Sequence, residues 1–186
     1  MRTFIAIDVT DELKRKTEEV IEKLMRRGFR ANWVKPENLH LTLFFLGEMQ
    51  ETDVEEMTKK LCDRIRGFPS FSFDVGGINF FRRGRGPRVI WVAVERNPAL
   101  QKLYEELKAE LLKYGYMKET EDKFVPHITI ARVKHYPEMW EKLIKDVQIE
   151  KSTVPVSSFT VYSSKLTPNG PIYTPVHKCD FERGMI

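Results

Sequence analysis

Two short phrases hold the residues best suited to chemistry: His40-Leu41-Thr42-Leu43 and His127-Ile128-Thr129-Ile130. Side chains two apart in an extended strand leave the same face, so each phrase aims one imidazole and one hydroxyl at a common spot. Histidine both takes and gives a proton near neutral pH. Two of them around one atom can strip a proton from an attacking water while protonating a departing oxygen. A phosphorus centre suits this division of labour, because nucleophile and leaving group lie in line on opposite sides. The threonine hydroxyls would hold the non-bridging oxygens, where negative charge builds up. The arrangement requires no metal. Catalytic zinc, the rival use of histidine, usually takes three protein ligands, and the chain has no HExxH, HxH or CxxC phrase. His135 and His177 have no threonine partner and read as surface or structural residues.

The phrases sit at equivalent points of an internal repeat. Sliding the chain along itself by 87 residues lays His127 on His40 and, without a gap, Trp91-Val92-Ala93-Val94-Glu95 on Phe4-Ile5-Ala6-Ile7-Asp8. Leu100 falls on Leu13, Leu107 on Val20, Leu111 on Leu24, Gly115 on Gly28 and Tyr116 on Phe29. Past the phrases the offset becomes 88, with Phe159-Thr160-Val161 over Phe71-Ser72-Phe73. This predicts a single bilobal domain over residues 1–186, with repeat units of about 1–85 and 86–186.

The first unit should open with a strand over residues 3–9, with Thr10 capping a helix whose buried stripe is Leu13, Val20, Ile21 and Leu24 and which ends at Gly28. A connector over 33–38 leads into a motif strand over 39–46, a helix over 52–65 and a strand over 71–75. Gly76-Gly77 breaks that strand or bulges it. Residues 80–88, rich in Gly, Pro and Arg, read as a loop between the units. The second unit repeats the order, with strands over 89–95 and 124–133, helices over 98–113 and 137–147, and strands over 154–163 and 172–176. The fold class expected is α+β: two antiparallel sheets, helices on their outer faces, and a cleft between the open faces. Strict alternation puts His40, Thr42, Phe44 and Leu46 on one face, and Leu41, Leu43 and Phe45 on the other. It also puts Arg132 on the opposite face from His127 and Thr129, so Arg132 reaches the cleft only if the strand ends, twists or bulges after Ala131.

Composition narrows the setting. A 41% hydrophobic content over 186 residues supports a real core. No apolar run approaches the roughly 20 residues needed to span a bilayer, and no leader-like segment opens the chain, so the expected compartment is the cytoplasm. Cys62 and Cys179 form neither a disulfide framework nor a metal cluster and read as inert thiols. A net charge of +4 favours a polyanionic partner, although many of the 31 basic residues alternate with acids on helix faces. The 31% charged content fits a heat-adapted protein.

The segments Trp33-Val34-Lys35-Pro36-Glu37-Asn38-Leu39-His40-Leu41-Thr42-Leu43-Phe44-Phe45-Leu46-Gly47 and Phe124-Val125-Pro126-His127-Ile128-Thr129-Ile130-Ala131-Arg132 resemble the two signature motifs of the two-histidine phosphoesterase superfamily. More narrowly the chain resembles the RNA 2′,3′-cyclic phosphodiesterases, the LigT-type 2′-5′ RNA ligases, over nearly its whole length. The resemblance implies two lobes about a pseudo-twofold axis and metal-independent hydrolysis of a 2′,3′-cyclic phosphate to a 2′-phosphomonoester. It implies His40 as proton donor to the leaving 3′-oxygen, His127 as the base on water, and Thr42, Thr129 and Arg132 as phosphate ligands. The first repeat carries Phe45 where the second carries Arg132, so the site is chemically asymmetric. The partner implied is RNA with cyclic phosphate ends, tRNA halves among them, acted on by a monomer without a cofactor.

Two alternatives stay open on sequence. The same residues run backwards would join a cyclic phosphate end to a 5′-hydroxyl. A non-catalytic RNA-binding module would carry an aromatic RNP phrase on its open sheet face, and none is present. Arg82, Arg83, Arg85 and Arg88 are the segment that would hold RNA beyond the terminal nucleotide, or else a solvated linker.

Overall fold

Helix α1 (Asp11–Arg26) starts where Thr10 accepts the Leu13 N–H at 3.1 Å. Its repeat counterpart, α3 (Pro98–Lys113), starts where Asn97 accepts the Leu100 N–H at 3.0 Å. Each cap satisfies a backbone donor that the first turn leaves without a partner. Both helices are followed by a glycine in the left-handed region, Gly28 at φ 95° and Gly115 at φ 75°, which lets the chain turn back without a Cβ penalty. Leu13, Val20 and Leu24 on α1 and Leu100, Leu103, Leu107 and Leu111 on α3 are buried. Each such side chain contributes about 1.5–3 kcal/mol by leaving water.

The computed structural model describes residues 1–186, with ten strands and four α-helices. The remaining elements are β1 (Arg2–Asp8), β2 (Arg30–Trp33), a 3-10 turn (Pro36–Asn38), β3 (His40–Glu48), α2 (Glu51–Ile65), β4 (Phe71–Arg83), β5 (Gly86–Val94), β6 (His127–His135), α4 (Trp140–Asp146), β7 (Ser152–Val156), β8 (Ser158–Thr167), β9 (Gly170–Asp180) and β10 (Gly184–Met185). They form two five-stranded antiparallel sheets, ordered β10-β9-β8-β1-β3 and β2-β6-β5-β4-β7. The runs β3-β1-β8-β9 and β6-β5-β4-β7 correspond, which is the pseudo-twofold relation expected of the fold. Each sheet draws strands from both halves of the sequence, so the halves are not the lobes. One hydrophobic core of 38 buried residues joins the helices to the backs of both sheets. No helix is long and apolar enough to cross a membrane.

Several local expectations are revised. Residues 80–88 are not a loop: β4 runs to Arg83 and β5 begins at Gly86, so they form the end of a hairpin with its turn at Gly84-Arg85. Gly76-Gly77 produces a bulge, with Val75 opposite Val94 and Ile78 opposite Val92. Residues 154–163 are two strands, β7 and β8, which part at Ser157 and enter different sheets. The core-facing positions are even-numbered in β7 (Val154, Val156) and odd-numbered in β8 (Phe159, Val161), a change of phase that falls at Ser157-Ser158.

The cysteines are also corrected. Cys62 on α2 and Cys179 on β9 are joined as a disulfide, with Cα atoms 5.3 Å apart, and both are buried. Their separation of 117 residues carries no spacing signal. Only the packing of α2 beside β9 brings them within bonding reach.

Candidate active site

Strands β3 and β6 have the same succession of half-buried, buried and exposed positions along all nine residues. In each, an extra residue interrupts the ladder at an equivalent point, and β3 has a second at Leu46, where Thr3 pairs with Gly47 and Phe4 with Phe45. Ile5 pairs with Phe44 and Ala6 with Thr42, leaving Leu43 as the extra residue. Ile90 pairs with Ala131 and Trp91 with Thr129, leaving Ile130. Leu43 and Ile130 are equivalent in the repeat. A bulge puts two consecutive side chains on one face, so Leu43 and Phe44 both go to the core, as do Ile130 and Ala131. The next residue is thereby turned to the cleft. This resolves the register objection to Arg132, and it reverses the alternation expected for Phe44 and Phe45. Phe44 is 5% exposed and Phe45 is 70% exposed.

Both histidines are anchored in the same way. The His40 Nδ1 lies 2.9 Å from the Asn38 carbonyl, and the His127 Nδ1 lies 2.7 Å from the Val125 carbonyl. A carbonyl only accepts, so each Nδ1 carries hydrogen and Nε2 is the chemically available nitrogen. His40, Thr42, His127, Thr129 and Arg132 all line one cleft of about 900 Å³. The cleft also has aromatic walls. His127 meets Phe81 and Trp91 edge-on, with ring centres at 5.1 and 5.7 Å. His40 lies 4.6 Å from the Tyr162 ring and 5.9 Å from the Tyr173 ring.

Asp8 and Tyr162 are the functional neighbours that reading the sequence missed. The Tyr162 hydroxyl donates to Asp8 Oδ1 at 2.5 Å and lies 3.1 Å from His40 Nε2, which is itself 3.4 Å from Asp8 Oδ1. Tyr162 lies 122 residues from His40 in the chain, and only the pairing of β8 with β1 delivers it. Asp8 left a weak signal, the acid that closes β1 in the repeat match with Glu95. The hydrogen bond from His40, aided by that from Tyr162, holds the Asp8 carboxyl below its usual range despite half-burial. Burial, with the Asp8 hydrogen bond second, pushes the Tyr162 phenol up. Burial also raises Tyr173, partly offset by the Arg132 charge.

A depressed carboxyl contributes stability that is complete above its ordinary value of 3.8 and is lost as pH falls through the lowered one. Asp8→Asn should therefore melt below the wild type at neutral pH, and the gap in Tm should close well below pH 3.8. A gap that stays constant into acid would show that the carboxylate charge is not what stabilises the network.

Of the four arginines, Arg82 donates to Glu141 at 2.7 Å and stacks 4.9 Å from the Trp140 ring, which pins the hairpin to α4. Arg88 lines the cleft, while Arg83 and Arg85 are exposed at the hairpin end.

The sequence and the fold find close parallels among known proteins. An RNA 2′,3′-cyclic phosphodiesterase of Thermotoga maritima is 56% identical over 186 residues, covering 100% of this chain and 98% of its own. One of Methanothermobacter thermautotrophicus is 32% identical over 177 residues, covering 94% and 95%. The crystal structure of E. coli LigT without ligand superposes with a TM-score of 0.75 at 26% identity, over 98% of each chain. Its complex with 3′-AMP gives 0.72 at 26% identity, over 95% of each. The pattern of one sequence family matches residues 11–167, a stretch that includes both histidine phrases and β8, which carries Tyr162. By that match and by these relatives, the chain belongs to the 2′-5′ RNA ligase superfamily.

Proposed function

We propose that this protein hydrolyses 2′,3′-cyclic phosphate ends of RNA to 2′-phosphomonoesters. The observation that carries the reading is the pair of imidazoles on equivalent strands, each with Nδ1 tied to a carbonyl two residues back, facing one cleft with Thr42 and Thr129. The activity borne in the names of the relatives supports it. In this reading a water, deprotonated by His127 Nε2, attacks phosphorus as the P–O3′ bond breaks and His40 protonates O3′. Thr42 and Thr129 donate to the non-bridging oxygens. Arg132 adds a charge-assisted bond from the position that Phe45 occupies in the other repeat. The His127 Nε2 has no protein hydrogen-bond partner, which suits a base.

Both halves of the site come from one chain, so the acting unit is a monomer. The ends of RNA halves, tRNA halves among them, are the substrates this implies, and the compartment is the cytoplasm. Membership of the superfamily favours one further reaction: the 5′-hydroxyl of a second RNA replaces water as the nucleophile, losing its proton to His127 as the P–O5′ bond forms while His40 protonates O3′ as P–O3′ breaks, which leaves a 2′-5′ linkage.

Nucleoside 2′,3′-cyclic phosphates test the reading. The expected product is the 2′-phosphate alone, identified by phosphorus NMR, at a rate that EDTA leaves unchanged. A 3′-phosphate, or no turnover of any cyclic nucleotide, would overturn it.

A further inference from the structure

The two histidines share one kind of backbone anchor, and beside the Arg132–Phe45 difference inside the motifs a second asymmetry, outside them, separates the two. We infer that Asp8 and Tyr162 are a positioning pair that commits His40, and not His127, to giving a proton. The inference rests on the hydrolytic reading above and adds what assigns the direction.

Hydrogen-bond bookkeeping leads there. The Asn38 carbonyl takes the hydrogen on His40 Nδ1. Tyr162 has one hydrogen, and it goes to Asp8 Oδ1 at a separation of 2.5 Å, within the range of a hydroxyl donating to an ionised carboxylate. The phenol oxygen can then only accept from His40, so Nε2, 3.1 Å away, carries hydrogen as well. His40 is left with a proton to give and no lone pair with which to take one. Asp8 Oδ1, 3.4 Å from the same nitrogen, can likewise only accept from it. The depressed Asp8 carboxyl and raised Tyr162 phenol agree with this placement of the hydrogens.

The other repeat lacks the device at each equivalent point. Glu95 stands where Asp8 does, but it pairs with Lys151 at 3.5 Å. Asn79 faces Trp91 across the sheet as Tyr162 faces Phe4, but it is exposed and its amide oxygen accepts from the Phe80 N–H at 2.8 Å. Neither reaches His127, whose Nε2 keeps its lone pair for a water proton. The scaffold is shared between the lobes, whereas the Asp8–Tyr162 pair is not.

In the step assigned, the Nε2–H proton of His40 passes to O3′ as P–O3′ breaks, and His127 receives the proton that water loses as the new P–O bond forms. The proton then returns from His127 to His40 through solvent. Tyr162 and Asp8 keep their own hydrogen bond throughout; the phenol oxygen gives up the Nε2–H as O3′ takes it, and neither side chain bonds to a substrate atom.

A leaving group that needs no proton isolates this role. The probe is a nucleoside cyclic phosphorothiolate with sulfur replacing the bridging 3′-oxygen, whose P–S bond breaks to release a thiolate directly. On the oxygen substrate, Tyr162→Phe and Asp8→Asn should each lose roughly ten- to hundredfold in kcat, the range for a hydrogen bond to a charged group, with KM nearly unchanged. On the sulfur substrate both, like His40→Ala, should come within a few-fold of wild type, while His127→Ala should stay impaired. Phenylalanine keeps the ring that stacks 5.2 Å from Phe4, and asparagine keeps the shape of Asp8, so both variants should fold. If His40→Ala is rescued but the other two are equally impaired on both substrates, or are fully active on oxygen, the pair has no part in proton delivery and the inference fails alone. If sulfur rescues His127→Ala and not His40→Ala, the assignment of His40 as the acid fails, and the inference with it.

Discussion

Alanine at His127 is expected to lower turnover of a 2′,3′-cyclic nucleotide by at least roughly 10²-fold, and alanine at His40 by a similar factor. The double variant should be little worse than either single one, because a base and an acid acting on the same displacement are worth little apart. The physical reason lies in the reaction's symmetry. Without His127 the attacking water keeps its proton as the P–O bond forms. Without His40 the 3′-oxygen must leave as an alkoxide. The two variants should differ in stability. His40 has a side chain only 8% exposed, bonded through both ring nitrogens and set against Tyr162, so its loss should lower Tm more than the loss of His127. Steady-state hydrolysis and thermal melts of the three variants check both statements, and full activity in either single variant excludes the two-histidine mechanism.

The other large effect concerns the fold. Cys62→Ser with Cys179→Ser opens a cross-link that closes a separation of 117 residues. Chain entropy puts the stabilisation from a loop of that length at about 5 kcal/mol, and measured losses run from roughly 2 to 5 kcal/mol. For a chain of this size that corresponds to a fall in Tm of about 5–15 °C. The site should be spared. Both cysteines lie in the core between α2 and β9, and neither lines the cleft, so kcat well below the new Tm should match the wild type. Melting under reducing and oxidising conditions gives the same comparison without mutation. An unchanged Tm would mean that the bond adds nothing to what the core already supplies.

Much of this was legible because it is local. A His-x-Thr phrase in a strand-forming run puts both side chains on one face whatever surrounds it. The caps at Thr10 and Asn97, the buried stripes of α1 and α3, and the glycines that follow those helices depend on a few neighbouring residues. The match at an offset of 87 related the two motifs to each other. What failed was whatever depends on an added residue or on a distant partner. Strict alternation misplaced Phe44 and Phe45, because a bulge adds a residue to one strand only and nothing in the side chains of Leu43 or Ile130 announces it. The cysteines looked unrelated because packing across 117 residues, not spacing, makes them a pair.

The same division runs through the site. By itself the amino-acid sequence determined which groups are suited to the chemistry and that they come in two equivalent sets, since residue type and a period of two suffice for that. To the Phe45–Arg132 difference legible in the sequence, tertiary structure alone added the second inequality, at the histidines themselves. Pairing of β1 with β3 sets Asp8 opposite His40 and pairing of β8 with β1 brings Tyr162 to both, while the corresponding positions hold Asn79 and Glu95, turned to other partners. Hydrogen bonds act over about 3 Å, and only folding brings residues so far apart in the chain within that distance.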